Sequence, residues 1–340
     1  VSPRGEAIEA FECFAAPCAV LVIGDGATRS AADAASEARD SLLEWHRRFS
    51  RFLDDSELSM LNRDPRREVP ASAVMCRLAQ AILDAGAGSG GLVDATMVDQ
   101  LESAGYGGDL PAAPTLEHTL ETAPARRPAG PGAAGWQRIE VDHERGAIRR
   151  PPGLKLDSGG LAKGLFADVL AERLATHPGF AINCAGDLAI GGTAAIDRPV
   201  KVASPFDGST LHTFALQACG VATSGIGRRS WLDRDGRPAH HLLDPASGRP
   251  AFTGVVQVTA LAPSALSAEI RAKSALLSGP RRAPLWLPDG GVIVLDDGSH
   301  RVLEPPPSVT LSRLSAVAEP RLRCLLGERR GELRGQLLGR

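Results

Sequence analysis

Leu156-Asp157-Ser158-Gly159-Gly160-Leu161-Ala162-Lys163-Gly164 joins a short strand expected at Leu154 to Leu156 to a helical pattern spanning Leu161 to Ala175. An acid, two glycines and a lysine thus sit where a strand gives way to a helix. Glycines let a ligand approach the main chain, free N–H groups at a helix start face an anion, and a lysine adds a mobile positive charge. The spacing differs from the GxxxxGK[ST] phosphate loop. Local spacing alone also fits a capped helix with Asp157 as a solvated turn residue, and both readings stand at this level.

Downstream, Gly179 to Cys184 reads as a strand ending in Ala185-Gly186-Asp187, with further strand-like runs at 199–203, 211–217 and 254–261. A last helix is expected over Ser267 to Leu277. Upstream, short strands are expected at Gln137 to Asp142 and Ala147 to Arg150, joined through Glu144-Arg145-Gly146. Residues 11–23, FECFAAPCAVLVI, suit one buried strand. Thr28 or Ser30 then caps a long amphipathic helix over Ala31 to Phe52, Asp54 to Ser59 opens another, and Ser72 to Gly86 repeats the pattern. Mixed helices and short strands with hairpin spacing, without an internal repeat, predict an α+β fold. The Pro-, Ala- and Gly-rich stretch 107–135 reads as a flexible insertion in a domain covering 1–305, followed by a Pro- and Arg-rich tail, 306–340.

With 38 Lys+Arg against 40 Asp+Glu, the charge balance gives no reason to expect nucleic acid or an anionic membrane as partner. A small polar ligand or a protein fits better. Cys13, Cys18, Cys76, Cys184, Cys219 and Cys324 form no CxxC pair, which predicts buried thiols in a reducing compartment. No apolar run of about 18 residues occurs, and Val1 to Glu6 lack the basic-then-apolar order of a signal peptide, so the expectation is cytoplasmic. Lysine is scarce, at Lys155, Lys163, Lys201 and Lys273, which makes a lysine inside a motif more informative.

A second stretch runs from Ala222-Thr223-Ser224-Gly225 through Asp235-Gly236 to His240-His241-Leu242-Leu243-Asp244-Pro245-Ala246-Ser247-Gly248. It reads as a hairpin leading into a turn rich in hydroxyls and imidazole, where a histidine could serve as acid, base or phosphate ligand. Adjacent histidines before a turn also fit a plain surface. Ser224 has no nucleophile-elbow context.

Seven pieces, in order, carry a resemblance. They are Phe49-Ser50-Arg51-Phe52, Asp55 to Asn62, Gly90-Gly91-Leu92-Val93-Asp94-Ala95-Thr96, Asp157 to Gly164, Asn183 to Asp187, Thr223-Ser224-Gly225, and His241 to Pro245 with Ser247-Gly248. Together they resemble the FAD:protein FMN transferase (ApbE-like) family. The resemblance implies a two-lobed, T-fold-related α+β module with a flavin cleft between its lobes. It implies FAD as substrate, Mg²⁺ to polarise the pyrophosphate, and transfer of FMN to a threonine of an acceptor flavoprotein with release of AMP. It places Phe52, Val93, Asp94, Asp157, Lys163 and Leu243 at FAD contacts. His241 falls near the reaction centre, Gly160 where a main-chain oxygen meets the metal, and Glu269 in the metal helix. Phe52 stands where an aromatic, usually tyrosine, packs on the flavin.

Three departures bear on function. The family's N-terminal Met-Gly-Thr is replaced by Ala15-Ala16-Pro17-Cys18, the alanine-aspartate that opens the metal helix reads Ala268-Glu269, and the threonine four residues on is Lys273. A lysine cannot ligate Mg²⁺. Two such charges about 4 Å apart repel by about 8 kcal/mol at an effective dielectric of about 20. Lys273 therefore has two open roles: gripping the pyrophosphate in place of the metal, or swinging outward into a helix-surface pair with Glu269. Water in place of the threonine would make an FAD pyrophosphatase, and a degenerate metal site would leave a non-catalytic FAD-binding protein.

Overall fold

The computed structural model describes residues 5–108 and 114–306. The tail expected at 306–340 lies, from residue 307, outside the described residues, as do Cys324 and residues 109–113 of the expected insertion.

One eight-stranded antiparallel sheet organises the fold, and its strands neighbour one another in chain order. They are β1 (Glu6–Cys13), β2 (Ala16–Ile23), β3 (Gly179–Cys184), β4 (Asp187–Gly191), β5 (Cys219–Gly225), β6 (Val255–Ala262), β7 (Gly291–Leu295) and β8 (His300–Leu303). The run read as one strand at 11–23 is two, because the chain reverses at Phe14-Ala15 and Cys13 pairs with Ala16. Both turn residues have φ of 56°. A tight hairpin turn normally announces itself with Asn-Gly or Asp-Gly, and nothing of that kind marks Phe14-Ala15. Pro17 is tolerated in β2 because pairing to β3 begins only at Ala19.

Among the described residues seven α-helices follow in chain order: α1 (Ala31–Arg48), α2 (Glu57–Arg63), α3 (Ala73–Gly88), α4 (Val98–Ser103), α5 (Leu116–Glu121), α6 (Ala162–Leu174) and α7 (Ala265–Ser278). Ser30, Ser56, Ser72 and Ser264 cap α1, α2, α3 and α7 by accepting a main-chain N–H from the residue three positions on. α1 packs on β1 and β2, α6 on β3 and β4, and α7 on β5 and β6. Phe166 of α6 anchors the α1 side, with its ring centroid 5.0 Å from Trp45 and 5.1 Å from Phe49.

The excursion between β2 and β3 carries α1 to α6 and a small sheet in which Ala147–Arg149 lies between Glu68–Pro70 and Glu140–Asp142. Leu154 to Leu156, expected as a strand, pairs with a side chain instead. The Asn62 amide donates to the Leu156 carbonyl at 2.8 Å and accepts the Leu156 N–H at 2.7 Å. Residues 114–135 also depart from the unforced insertion expected of their composition. They include α5, and main-chain bonds run from Arg127 N–H to the Phe252 carbonyl and from Ala129 N–H to the Leu277 carbonyl. The Gly130 N–H donates to Asp244 Oδ1 at 2.9 Å.

Two contacts fix α6 against α7. A Cβ on Gly164 would fall 2.8 Å from the Ala265 carbonyl oxygen and from Leu266 Cα, so only glycine admits this approach. Asp168 accepts the Ala265 and Leu266 N–H groups at 2.8 and 3.0 Å, holding the start of α7, and burial pushes its carboxyl up to about 6. Asp168→Ala is expected to cost about 2–4 kcal/mol, the range for losing charged hydrogen bonds to buried N–H groups, read from the urea midpoint at unchanged m. Gly164→Ala is expected to cost about 1–3 kcal/mol through overpacking. Because it wedges α6 from α7, its cost should appear as a lowered urea midpoint at unchanged m.

Candidate active site

Asp157 to Gly164 runs into the start of α6, where Leu161 at the N-cap offers no side-chain acceptor and the Ala162 N–H donates to the Ser158 carbonyl at 2.9 Å. Asp157 is placed from both sides: Asn62 fixes Leu156, and the Asp157 N–H donates to the Ala95 carbonyl at 2.8 Å. Ser158 Oγ donates to the Phe49 carbonyl at 2.7 Å. Asp94 therefore lies one residue from the segment that holds Asp157, and its Oδ1 accepts the Thr96 N–H and hydroxyl at 2.9 and 2.6 Å. Val93 is buried in the core. Asp157 Oδ1 is buried without a hydrogen bond, and Arg51 Nε lies 3.6 Å from that same oxygen as an ion-pair partner. A buried acceptor left open is costly unless something donates to it.

Phe52 is 49% exposed, unusual for its size. Its ring is 5.6 Å from that of Tyr106, and Tyr106 stacks on Trp231 at 5.3 Å. The Arg51 guanidinium lies 4.3 Å from the Phe52 centroid and 4.4 Å from that of Tyr106, while its Nη2 donates to the Tyr106 carbonyl. A planar ligand meets here an aromatic face backed by a cation.

Beside Gly160 four charges are brought together. Lys163 Nζ lies 2.5 Å from Asp187 Oδ2, and Lys273 Nζ lies 2.9 Å from Glu269 Oε1. Glu269 is 1% exposed and Lys273 9%. The Lys273–Glu269 pair expected as one of the two roles therefore forms, but buried in the interior rather than on the helix surface. The second Glu269 oxygen accepts the Gly164 N–H of α6 at 3.0 Å. Burial disfavours the Lys163 ammonium, but Asp187 and Glu269 outweigh it and the net shift is upward. Burial likewise pushes the Asp187 carboxyl up to about 6, against the pull of Lys163.

His241 and its neighbour separate clearly. His240 is fully buried, edge-on to Phe252, and burial holds its imidazole down at about 3. It is a core residue. His241 is half-buried, and its Nδ1 lies 3.4 Å from the Arg229 carbonyl, which can only accept; Nδ1 carries the proton and Nε2 keeps its lone pair. Burial, then Arg229, His240 and Lys273, hold His241 well below the usual imidazole range. Leu243 is buried and pairs with Pro250 across a two-residue bridge.

The donor set does not fit Mg²⁺. A hard divalent ion wants about six oxygens. The two buried carboxylates of the cluster are already engaged, Asp187 by the Lys163 ammonium and Glu269 by the Lys273 ammonium and a main-chain N–H, and the Lys273 stem passes 3.6 Å from the position of a Cβ on Gly160. Among the described residues no three His, Cys, Asp or Glu side chains gather as a metal-ligand set.

Arg51, Tyr106, Asp187 and Arg229 carried no assigned role in the sequence reading. Tyr106 is the chain's single tyrosine, and Asp187 follows a two-residue turn at Ala185-Gly186. An acid opening a strand opposite a motif lysine was the available signal for Asp187. Arg229 had none.

Comparisons with known proteins agree with this geometry. The family model described as the ApbE family matches residues 16–294. An FAD:protein FMN transferase of Klebsiella pneumoniae (strain 342) is 28% identical over 282 residues, 79% of this chain and 76% of the relative. The Escherichia coli (strain K12) protein of that name is 28% identical over 261 residues, covering 73% and 70%. An ApbE protein structure from Thermotoga maritima superposes with a TM-score of 0.70 at 22% identity, over 87% of this chain and 96% of that one. The flavin transferase ApbE from Vibrio cholerae gives 0.66 at 20% identity, over 87% and 96%. With its sequential antiparallel sheet, its α6 start and a match across most of its length, this chain belongs to the ApbE family.

Proposed function

We propose that this chain is an FAD:protein FMN transferase, splitting the FAD pyrophosphate and attaching FMN to a threonine of an acceptor flavoprotein. The threonine Oγ attacks the phosphorus of the FMN half, the bond to the AMP phosphate breaks, and AMP leaves. The threonine proton needs a base. The observation that supports the chemistry is His241, a neutral imidazole with Nε2 free, kept unprotonated by burial and by Arg229 and Lys273 nearby.

Other roles follow from position. Phe52, with Arg51 and Tyr106 behind it, receives the flavin ring. Asp157 and Asp94 offer acceptors to ribityl, ribose or adenine donors, Asp157 Oδ1 having an ion-pair neighbour in Arg51 but no hydrogen bond. Val93 and Leu243 supply apolar wall. Lys163 and the start of α6 attract the diphosphate. Mg²⁺ is given no step, because Gly160 and Glu269 stand beside the Lys273 ammonium. No helix among the described residues is long and apolar enough to cross a membrane. The buried thiols support a cytoplasmic setting, and the acceptor flavoprotein is the expected protein partner.

Incubating the chain with FAD and a threonine-bearing flavoprotein domain, then reading in-gel flavin fluorescence and AMP, tests the assignment. Fluorescence with AMP supports transfer. AMP without fluorescence would mean hydrolysis, and bound FAD with neither product would mean binding alone. His241→Ala is expected to lower the rate about 10²–10⁴-fold, the usual contribution of a general base, with FAD affinity little changed. The pH profile separates two groups. His241 is neutral at pH 7 and stays so well below the ordinary imidazole value, so it adds no limb there; Asp187 takes up a proton near 6 and frees Lys163. FAD affinity should therefore rise as the pH falls through about 6, and this rise should be absent in Asp187→Asn; its persistence there would assign it to another group.

A further inference from the structure

The buried pair Lys273–Glu269 stands where the resemblance expects a divalent metal, and the residues around it do not fit that metal. Resting on the transferase reading, we infer that this chain works without Mg²⁺, with Lys273 as a built-in cation that holds the FAD diphosphate beside Gly160 and the start of α6.

Four observations carry it. Lys273 Nζ is within 2.9 Å of Glu269 Oε1, and this carboxylate also accepts the Gly164 N–H, so the ammonium is held beside the start of α6. Its stem runs alongside Gly160, where the missing side chain lets a phosphate approach. The partner charges balance: Lys163 and Lys273 are offset by Asp187 and Glu269, and Arg229 lies near enough to both Lys163 and His241 to act on their charge. A divalent ion added to this group would face a buried ammonium at close range with no free carboxylate to compensate it. A diphosphate, in contrast, adds negative charge beside cations already in place. An ammonium is a point charge that binds phosphate without demanding octahedral ligands. The site thus remains competent for an anion while it is closed to the metal.

The test measures FAD affinity by flavin fluorescence on the full chain, in EDTA and in excess MgCl₂. The native chain is expected to bind FAD equally in both, and titration of MgCl₂ into the chain without FAD should give no binding heat. Lys273→Met with Glu269→Gln removes the pair while keeping volume and hydrogen-bonding capacity. It should fold, as judged by circular dichroism, and lose about tenfold to a hundredfold in FAD affinity, the range for one charged hydrogen bond, with no rescue by MgCl₂. Lys273→Thr with Glu269→Asp restores the residue types the family uses there, and should make FAD binding depend on MgCl₂. Native binding that rises tenfold or more on adding MgCl₂ would overturn the inference, as would full affinity in the Met/Gln variant. Absence of FAD binding by the native chain in both buffers would instead overturn the transferase reading on which the inference rests.

Discussion

Glu269 is almost wholly buried and accepts from two donors that come from different helices, the Lys273 ammonium of its own α7 and the Gly164 N–H of α6. Removing one partner of such a pair leaves an uncompensated charge in the interior, which costs several kcal/mol. An apolar pair of equal volume would often be as stable. The pair is thus poorly explained by stability alone. What it does achieve is registry: the same carboxylate sets the height of the α6 start against α7 and the position of a cation beside it. The close approach at Gly164 and the Asp168 bonds to the start of α7 act on the same seam.

The sheet explains how distant motifs meet at that seam. Its strands follow chain order, so β4 brings Asp187 to Lys163 on the helix above, and β6 feeds α7 with Glu269 and Lys273. The large excursion between β2 and β3 returns at residue 156, where Asn62 satisfies both main-chain groups of Leu156. A side chain there does the work of a neighbouring strand. That is why a run with strand-like composition is not a strand, and why Asp157 is nonetheless held firmly.

Much of this was legible from residues alone. Helical spacing, with a cap read at Thr28 or Ser30 for α1, places α1, α3, α6 and α7 to within a few residues, because burial periodicity is a local property. Gly179–Cys184 was read with its observed bounds for the same reason: an apolar run closes on a turn with Ala-Gly. The hairpin at Phe14-Ala15 was not legible, since its left-handed residues carry side chains that normally avoid that conformation. Residues 114–135 misled by composition. Proline and glycine signal a lack of regular structure, and this segment is irregular yet tied by main-chain bonds to Phe252, Leu277 and Asp244.

The site divides along the same line. Residues carried by ordered motifs, such as Asp157, Lys163 and His241, could be singled out from the chain, whereas Arg229 enters only through folding. Its guanidinium reaches the Phe14 carbonyl at 3.4 Å and its own carbonyl meets His241 Nδ1. One residue thus connects the strained turn that stands in the region of the family's Met-Gly-Thr with the imidazole proposed as base. Non-glycine residues in the left-handed region cost about 1 kcal/mol or more each. A turn that carries this strain twice, with its carbonyl accepting from the Arg229 guanidinium, ties the altered N-terminal segment to the residue whose own carbonyl faces His241.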